Sequence, residues 1–307
     1  MSSGVRSRQR GLWRVAAVVA TSGALLMSGC AKNSDSGAPQ ANGPAAPAAK
    51  VDSIANTVPE AIKSTGKLIV GVNLPYAPNE FKDPASGKII GFDVDLMDAI
   101  AGTLGLTTDY KEETDFSKII PAIQGNTYNV GMSSFTDTKQ REQQVDFVTY
   151  FSAGSLWAQR AGDNIDPNNA CGKKVAVEST TVQETDELPA KSKACTDAGK
   201  PSIDILKFDN QDQAASAVAV GQADAMSADS PVTLWAIKKT NGKLLQAGNV
   251  FNSAPYGWPV KKGSPLAQSL LQALQHLIDT GQYKQIAEKW GVQAGMIDKP
   301  VINGATS

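Results

Sequence analysis

Three cysteines, Cys30, Cys171 and Cys195, and one histidine, His276, are the residues on which nucleophilic, redox or metal chemistry could be built. His276 falls in the amphipathic stretch from Leu266 to Ile278, and no cysteine or second histidine stands at ligand spacing around it. Neither a nucleophile elbow nor a phosphate-binding glycine loop is present. The chemistry on offer is therefore thiols suited to attachment or cross-linking, and charged side chains suited to holding a solute. No metal and no cofactor are expected.

Cys30 closes a leader. Arg6, Arg8, Arg10 and Arg14 carry all the charge before it, and an apolar run follows from Val15 to Leu26, broken only by Thr21, Ser22 and Gly23. That run is about a dozen residues, short of the roughly 20 that span a bilayer. A basic start, a short apolar middle and a small-residue end make residues 1–29 a secretory signal peptide. Leu26-Met27-Ser28-Gly29-Cys30 resembles the lipobox of bacterial lipoproteins, with Met27 where leucine is preferred. Cys30 is expected to take a lipid and to anchor the chain on the extracytoplasmic face of the cell membrane. Residues 31–50 hold Ala, Pro, Gly, Ser, Asn, Gln, Lys and one Asp, with no large apolar side chain. Such a segment cannot bury enough surface to offset its ordering entropy, so residues 30–57 are assigned to the lipidated cysteine and a disordered tether. With Cys30 committed to lipid, Cys171 and Cys195 form an even pair in an oxidising compartment, and a disulfide between them is expected.

Removing the four leader arginines from 29 basic residues leaves 25 against 30 acidic ones, a net charge near −5 with no basic stripe. Nucleic acid is not an expected partner. The body alternates strand-like and helix-like segments. Lys67 to Val72 reads as a buried strand, and Phe92, Leu96, Ala99, Ile100 and Leu104 fall on one helical face. Asp115 is placed to cap the segment carrying Phe116, Ile119, Ile120 and Ile123. Tyr128 to Met132 is a strand, Thr138 to Gln144 a polar helix, and Val145 to Phe151 extended. The alternation then restarts: Lys174 to Val177, Ile203 to Phe208 and Ala223 to Ser227 as strands, Val182 to Cys195 and Asp212 to Val220 as helices. The fold class is α/β with mainly parallel sheets, and two restarts imply two lobes. In open sheets of this kind, ligands bind beyond the carboxyl ends of the strands.

Gly91-Phe92-Asp93-Val94-Asp95-Leu96, continuing through Ala99-Ile100-Ala101, resembles the signature of the family 3 extracellular solute-binding proteins, receptors of polar amino-acid ABC importers. Gly66 to Val72, Tyr76-Ala77-Pro78, Phe116 to Ala122, Met132 to Thr136 and Val145-Asp146-Phe147 continue the resemblance in order, from about residue 60 to about 291. It implies a two-lobed, type II periplasmic-binding-protein-like fold: two mainly parallel sheets joined by a two-strand hinge, with the solute in the cleft. Lobe 1 is expected at residues 58–155 and 257–298, lobe 2 at 156–256, and a C-terminal tail at 299–307. The crossovers are expected near Ser152 to Ala158 and Ser253 to Pro259, with Trp157 and Trp258 as core packing beside them.

An amino acid is a zwitterion, so a dry cleft must offer a fixed cation and a fixed anion, since burying either charge alone costs several kcal/mol. By the resemblance, Arg141 grips the α-carboxylate with its planar fork, aided by the helix start on which it sits. Ser134 and Thr136 add hydroxyl and backbone contacts, and Tyr76 covers one face of the ligand. Asp229 binds the α-ammonium from lobe 2, whereas Asp224 is expected to be structural. Thr181 matches a lobe 2 contact to the carboxylate. There the sequence departs from the family pattern, with Thr180 where glycine is usual and Val182 where a small or hydroxyl residue is common. Asn79 replaces the usual aromatic after Tyr76-Ala77-Pro78, and Glu80 offers an alternative anion, although in the family it more often points away from the ligand.

Asn73 occupies a position that is acidic in binders of basic amino acids, so its amide argues against arginine, lysine or ornithine and for glutamine, asparagine, glutamate or another polar solute. The expected function is a substrate-binding lipoprotein of an ABC importer, not an enzyme, acting as a monomer with a small polar amino acid and the permease membrane subunits as partners. The alternatives are a cyclohexadienyl-dehydratase-like enzyme on the same fold and a receptor that feeds a signalling partner.

Overall fold

The computed structural model describes residues 48–306. The signal peptide, Cys30 and the tether up to residue 47 lie outside the described residues. The body begins earlier than the sequence reading placed it. Asp52–Ala55 (α1) is helical, Ala55 and Val58 are buried, and the Val51 amide donates to the Thr103 carbonyl at 3.0 Å. Ala55, Val58 and Ile54 carry enough apolar surface to dock, which the Ala- and Pro-rich stretch before them lacks.

After α2 (Glu60–Lys63) come β1 (Lys67–Asn73), β2 (Phe81–Lys82), β3 (Ile89–Ile90) and α3 (Phe92–Thr103). They are followed by β4 (Thr107–Glu113), α4 (Ile119–Gln124), β5 (Val130–Gly131), α5 (Lys139–Glu142) and β6 (Val145–Arg160). The second stretch holds β7 (Lys174–Glu178), α6 (Leu188–Asp197), β8 (Asp204–Phe208), α7 (Gln211–Ala219), β9 (Ala225–Asp229) and α8 (Ser230–Lys239). β10 (Leu244–Lys261), α9 (Leu266–Asp279) and α10 (Gln282–Trp290) complete the order.

Hydrogen bonding links the strands as β4-β1-β5-β10-β6-β9-β7-β8, with β2 and β3 paired separately. β1 runs parallel to β4 and β5, and β7 runs parallel to β8 and β9. The long antiparallel pair β6 and β10 threads both halves, so the two sheets join into one continuous ladder rather than standing apart. That pairing is interrupted by register shifts between Ala247 and Phe251 and between Phe251 and Ala254, beside the expected crossovers. At Gly154 an added Cβ would lie 2.5 Å from the Phe251 carbonyl oxygen, so only glycine lets the two strands approach there.

Each half has its own core. In the first, Leu68, Val70 and Val72 of β1 meet Phe92, Leu96 and Ile100 of α3 and the apolar stripe of α9. That stripe, Leu266, Leu270, Leu274 and Leu277, recurs at helical spacing, each side chain contributing about 2 kcal/mol by burial. In the second, Val175 and Val177 pack with Trp157, Leu188 and Ile203 on one face of β7. Ala176 packs with Ala214, Val218 and Met226 on the other. Trp157 and Trp258 are fully buried, the latter stacked on Tyr150 at 4.5 Å. Gly91 explains the Gly-Phe-Asp signature. A Cβ at Gly91 would sit 2.0 Å from the Asn79 carbonyl oxygen, so glycine allows α3 to start against the Tyr76–Glu80 turn.

Cys171 and Cys195 form the expected disulfide, tying the approach to β7 to α6 across 24 residues. A double Cys→Ser variant is expected to unfold in urea with about 3 kcal/mol less stability, the loop-entropy value for that span. An unchanged midpoint would show that packing around Cys195 already restricts the loop.

Candidate ligand-binding cleft

The carboxyl ends of four strands converge. β1 ends at Asn73, β5 leads into Ser133 and Ser134, β7 ends at Glu178 and β9 ends at Asp229. They line a small, nearly filled pocket of about 20 Å³, bounded by Tyr76, Phe116, Arg141, Glu178, Gln183 and Asp229, among others. The two halves touch across it. Tyr76 Oη donates to Asp229 Oδ2 at 2.7 Å, and Arg141 Nη2 donates to the Thr180 carbonyl at 3.2 Å.

Arg141 sits on α5, a single turn rather than the longer helix expected, so little helix dipole reaches it. Thr138 caps the turn by accepting the Arg141 amide at 3.2 Å. The guanidinium lies 5.5 Å from the ring centres of both Phe116 and Phe135, which stack at 4.3 Å. Its Nη1 donates to the Thr136 carbonyl at 2.9 Å. Two of five guanidinium donors are thus used on carbonyls, which fixes the plane and leaves others for an anion. Burial lowers its pKa to about 10, so it remains charged at neutral pH.

Asp229 stands at the N-cap position of α8 yet makes no side-chain cap bond. Its carboxylate turns to the cleft, where Gln183 Nε2 donates to Oδ1 at 2.8 Å and Tyr76 Oη to Oδ2. Burial raises its pKa, and the hydrogen bonds and the charge of Arg141 oppose that rise. Gln183 opens the wide π-helical turn Gln183–Glu187, a geometry that aims a side chain differently from an α-helix.

Glu178 is 2% exposed, and its Oε2 has no hydrogen-bond partner. Burial first, then the charge of Asp229, pushes its pKa to about 8. The lining therefore carries one cation, Arg141, and two carboxyls, Asp229 and Glu178. With both carboxyls ionised, a single added positive charge would balance it.

The other expected residues also reach the cavity, with their side chains partly engaged. Asn73 donates to the Glu113 carbonyl at 2.8 Å. Thr181 Oγ1 donates to the Glu178 carbonyl at 2.8 Å. Ser134, at φ +48°, turns its hydroxyl to a buried set formed by Asn79, Glu80 and Asp93. In that set burial raises both carboxyls, Asp93 to about 6, so the pair shares a proton behind the cleft floor. Thr180 keeps φ +64°, a conformation costly for a β-branched residue, which explains why glycine is usual there. Asp224 accepts the Lys174 amide at 2.8 Å, a structural contact.

Sequence reading missed Glu178, Gln183, Phe116 and Phe135. Glu178 had a signal: it is the acid that ends an apolar strand, where cleft groups stand in α/β sheets.

The sequence model of the bacterial extracellular solute-binding proteins, family 3, matches residues 68–293. The arginine-binding protein ArgT of Corynebacterium glutamicum is 41% identical over 288 residues, covering 93% of each chain. The glutamine-binding protein GlnH of Bacillus subtilis is 31% identical over 282 residues, covering 89% of this chain and 95% of its own. Among solved structures, an ancestral arginine-binding protein bound to arginine superposes with a TM-score of 0.67 at 36% identity, covering 73% of this chain and 98% of its own.

Proposed function

Since the chain belongs to the bacterial extracellular solute-binding proteins, family 3, we propose that it captures a cationic amino acid, L-arginine foremost, between its lobes. We propose further that it is the lipid-anchored receptor of an ABC importer, held through Cys30 on the outer face of the membrane and handing its ligand to the permease. The observation that carries the ligand class is the buried carboxyl of Glu178, whose Oε2 has no hydrogen-bond partner, in the same pocket as Arg141 and Asp229. Arg141 takes the α-carboxylate and Asp229, with Tyr76, the α-ammonium. Ser134, Thr136 and Thr181 frame those contacts. Glu178 then faces the distal cation, and the filled cleft is neutral.

This revises the expectation drawn from Asn73. A counter-charge was sought on lobe 1, where Asn73 offers only an amide; Glu178 supplies it from lobe 2. The arginine-binding relative ArgT and the arginine-bound ancestral protein support this reading. The glutamine-binding name of GlnH makes glutamine the rival to exclude.

A thermal-shift panel of the common amino acids, followed by calorimetry, tests the proposal on the purified protein. Arginine, lysine or ornithine should raise the midpoint most, with glutamine at least tenfold weaker. Tightest binding by glutamine or glutamate would sink the cationic reading, and no response to any amino acid would sink the zwitterion reading altogether.

A further inference from the structure

The segment from Val301 to Ala305 reaches the Arg141 turn from outside the cleft, beyond the residues that the family model matches. It first runs along β6 as an extra edge. Val148 and Ile302 form an antiparallel bridge, the Thr149 amide donates to the Val301 carbonyl at 2.9 Å, and the Asn303 amide donates to the Phe147 carbonyl at 2.9 Å. The Asn303 side chain completes the rung. Its Oδ1 accepts the Phe147 amide at 2.9 Å, and its Nδ2 donates to Asp146 Oδ1 at 3.0 Å.

At Asn303 the backbone enters the left-handed region, φ +59°, which asparagine tolerates better than most residues. The chain turns there onto the segment that carries Arg141. The Gly304 amide donates to Asp137 Oδ2 at 2.7 Å, and the Ala305 amide donates to Glu142 Oε1 at 3.0 Å. Asp137 stands four residues before Arg141, and Glu142 immediately follows it. Both ends of the turn are thus held by consecutive backbone amides of the same strap.

The turn needs such support. α5 is four residues long and has no fully buried side chain. One helical turn has no stability of its own, because nucleation costs more than its few hydrogen bonds return. Its position must come from tertiary contacts, and its one ligand-facing group, a long arginine side chain, magnifies any drift of the backbone.

We propose that residues 301–305 are a positioning element for ligand binding, holding the Asp137–Glu142 turn so that the Arg141 fork faces the ligand carboxylate. The inference rests on Arg141 gripping that carboxylate, as proposed above. Asn303, Gly304 and Ala305 touch no ligand; they act through Asp137, Glu142 and β6.

The test is a double-mutant cycle on L-arginine affinity, measured by calorimetry, with the chain ending at residue 300 as one arm and Arg141→Lys as the other. Truncation is expected to weaken binding at least tenfold in the parent and less than threefold when residue 141 is already lysine. Coupling of that kind is what a strap acting through Arg141 produces, whereas general loosening of lobe 1 gives independent, multiplying effects. Binding within twofold of the parent after truncation, or multiplying effects, would overturn the proposal. Should the shortened chain fail to fold by circular dichroism, Asn303→Gly takes its place. It keeps the left-handed backbone and removes both side-chain bonds, with a three- to tenfold loss expected and unchanged affinity as the contrary result. If the parent does not bind L-arginine, that failure belongs to the function proposed above. The cycle is then run with whichever amino acid the panel identifies, and the same outcomes decide it.

Discussion

Replacing Glu178 with glutamine is expected to stabilise the empty protein and to weaken L-arginine binding about a hundredfold. Both effects follow from one buried carboxyl. Its pKa in the folded chain is about 8, against an ordinary value of 4.5. Between those values the unfolded chain ionises the group while the folded chain keeps it protonated. The folded state therefore holds more protons, and stability falls as pH rises from about 4.5 to about 8, then levels. At about 1.4 kcal/mol per unit the penalty near pH 8 is on the order of a few kcal/mol. Glutamine mimics the protonated carboxyl and escapes it. Urea unfolding of the ligand-free Glu178→Gln chain should show a gain of about 2–4 kcal/mol at pH 8 and almost none at pH 4.5. A loss at pH 8 would mean that the carboxylate is already paired in the empty protein.

For the ligand the sign reverses. A guanidinium entering beside Glu178 favours the ionised form, so binding expels a proton. Parent affinity should strengthen with pH between about 6 and 8, by up to tenfold per unit, and flatten above. In the glutamine variant that slope should vanish. Truncating one partner of a buried charge pair costs about 2–5 kcal/mol, which brackets the hundredfold loss. A pH-independent parent affinity would remove Glu178 from the contact.

The second large effect is expected at Arg141. Arg141→Ala leaves the ligand carboxylate facing Asp229 and Glu178 with no buried cation in the lining, and affinity should fall about a thousandfold, or about 4 kcal/mol. Arg141→Lys keeps the charge but loses the planar fork beside the stacked Phe116 and Phe135 rings, so it should recover only part of that loss. Calorimetric titration of both variants checks this. An alanine variant within tenfold of the parent would show that the carboxylate is held elsewhere.

Much of the fold was legible because buried parallel strands and amphipathic helices leave strong periodic signals. β1, α3, β7 and α7 came through within a residue or two of their observed limits. β4 did not, since Thr107 to Glu113 is an edge strand rich in charge and has no apolar alternation to read. β10 was only partly visible. It exposes much of its length and carries Gly248, Pro255 and Pro259, which sequence rules treat as breaks. The helix expected from Val182 begins as a π turn, and no local signal distinguishes i+5 from i+4 bonding.

The cleft was legible to the extent that its residues sit in a recognisable order. Arg141 and Asp229 followed from the family resemblance, and the structure sets both in one cavity. What stayed hidden is long-range. The strand end at Glu178 marks it as a cleft candidate, but its neighbours in sequence do not reveal that it shares a pocket with Arg141, because the two come from opposite lobes. The strap at Gly304 and Ala305 meets Asp137 and Glu142 across more than 160 positions, with separations of 167 and 163. The countercharge was therefore sought at Asn73 and Glu80, the lobe 1 positions that local matching could find.

The central claim is that the cleft balances a cationic amino acid, with Arg141 and Asp229 on its zwitterion and Glu178 on its distal charge. L-Arginine and L-citrulline share the zwitterion and nearly the same shape, and differ in that charge. Calorimetric titration of both at pH 8 isolates it. Citrulline is expected to bind at least about a hundredfold more weakly, a difference near 3 kcal/mol. Equal affinity for the two, or tighter binding of citrulline, would contradict it.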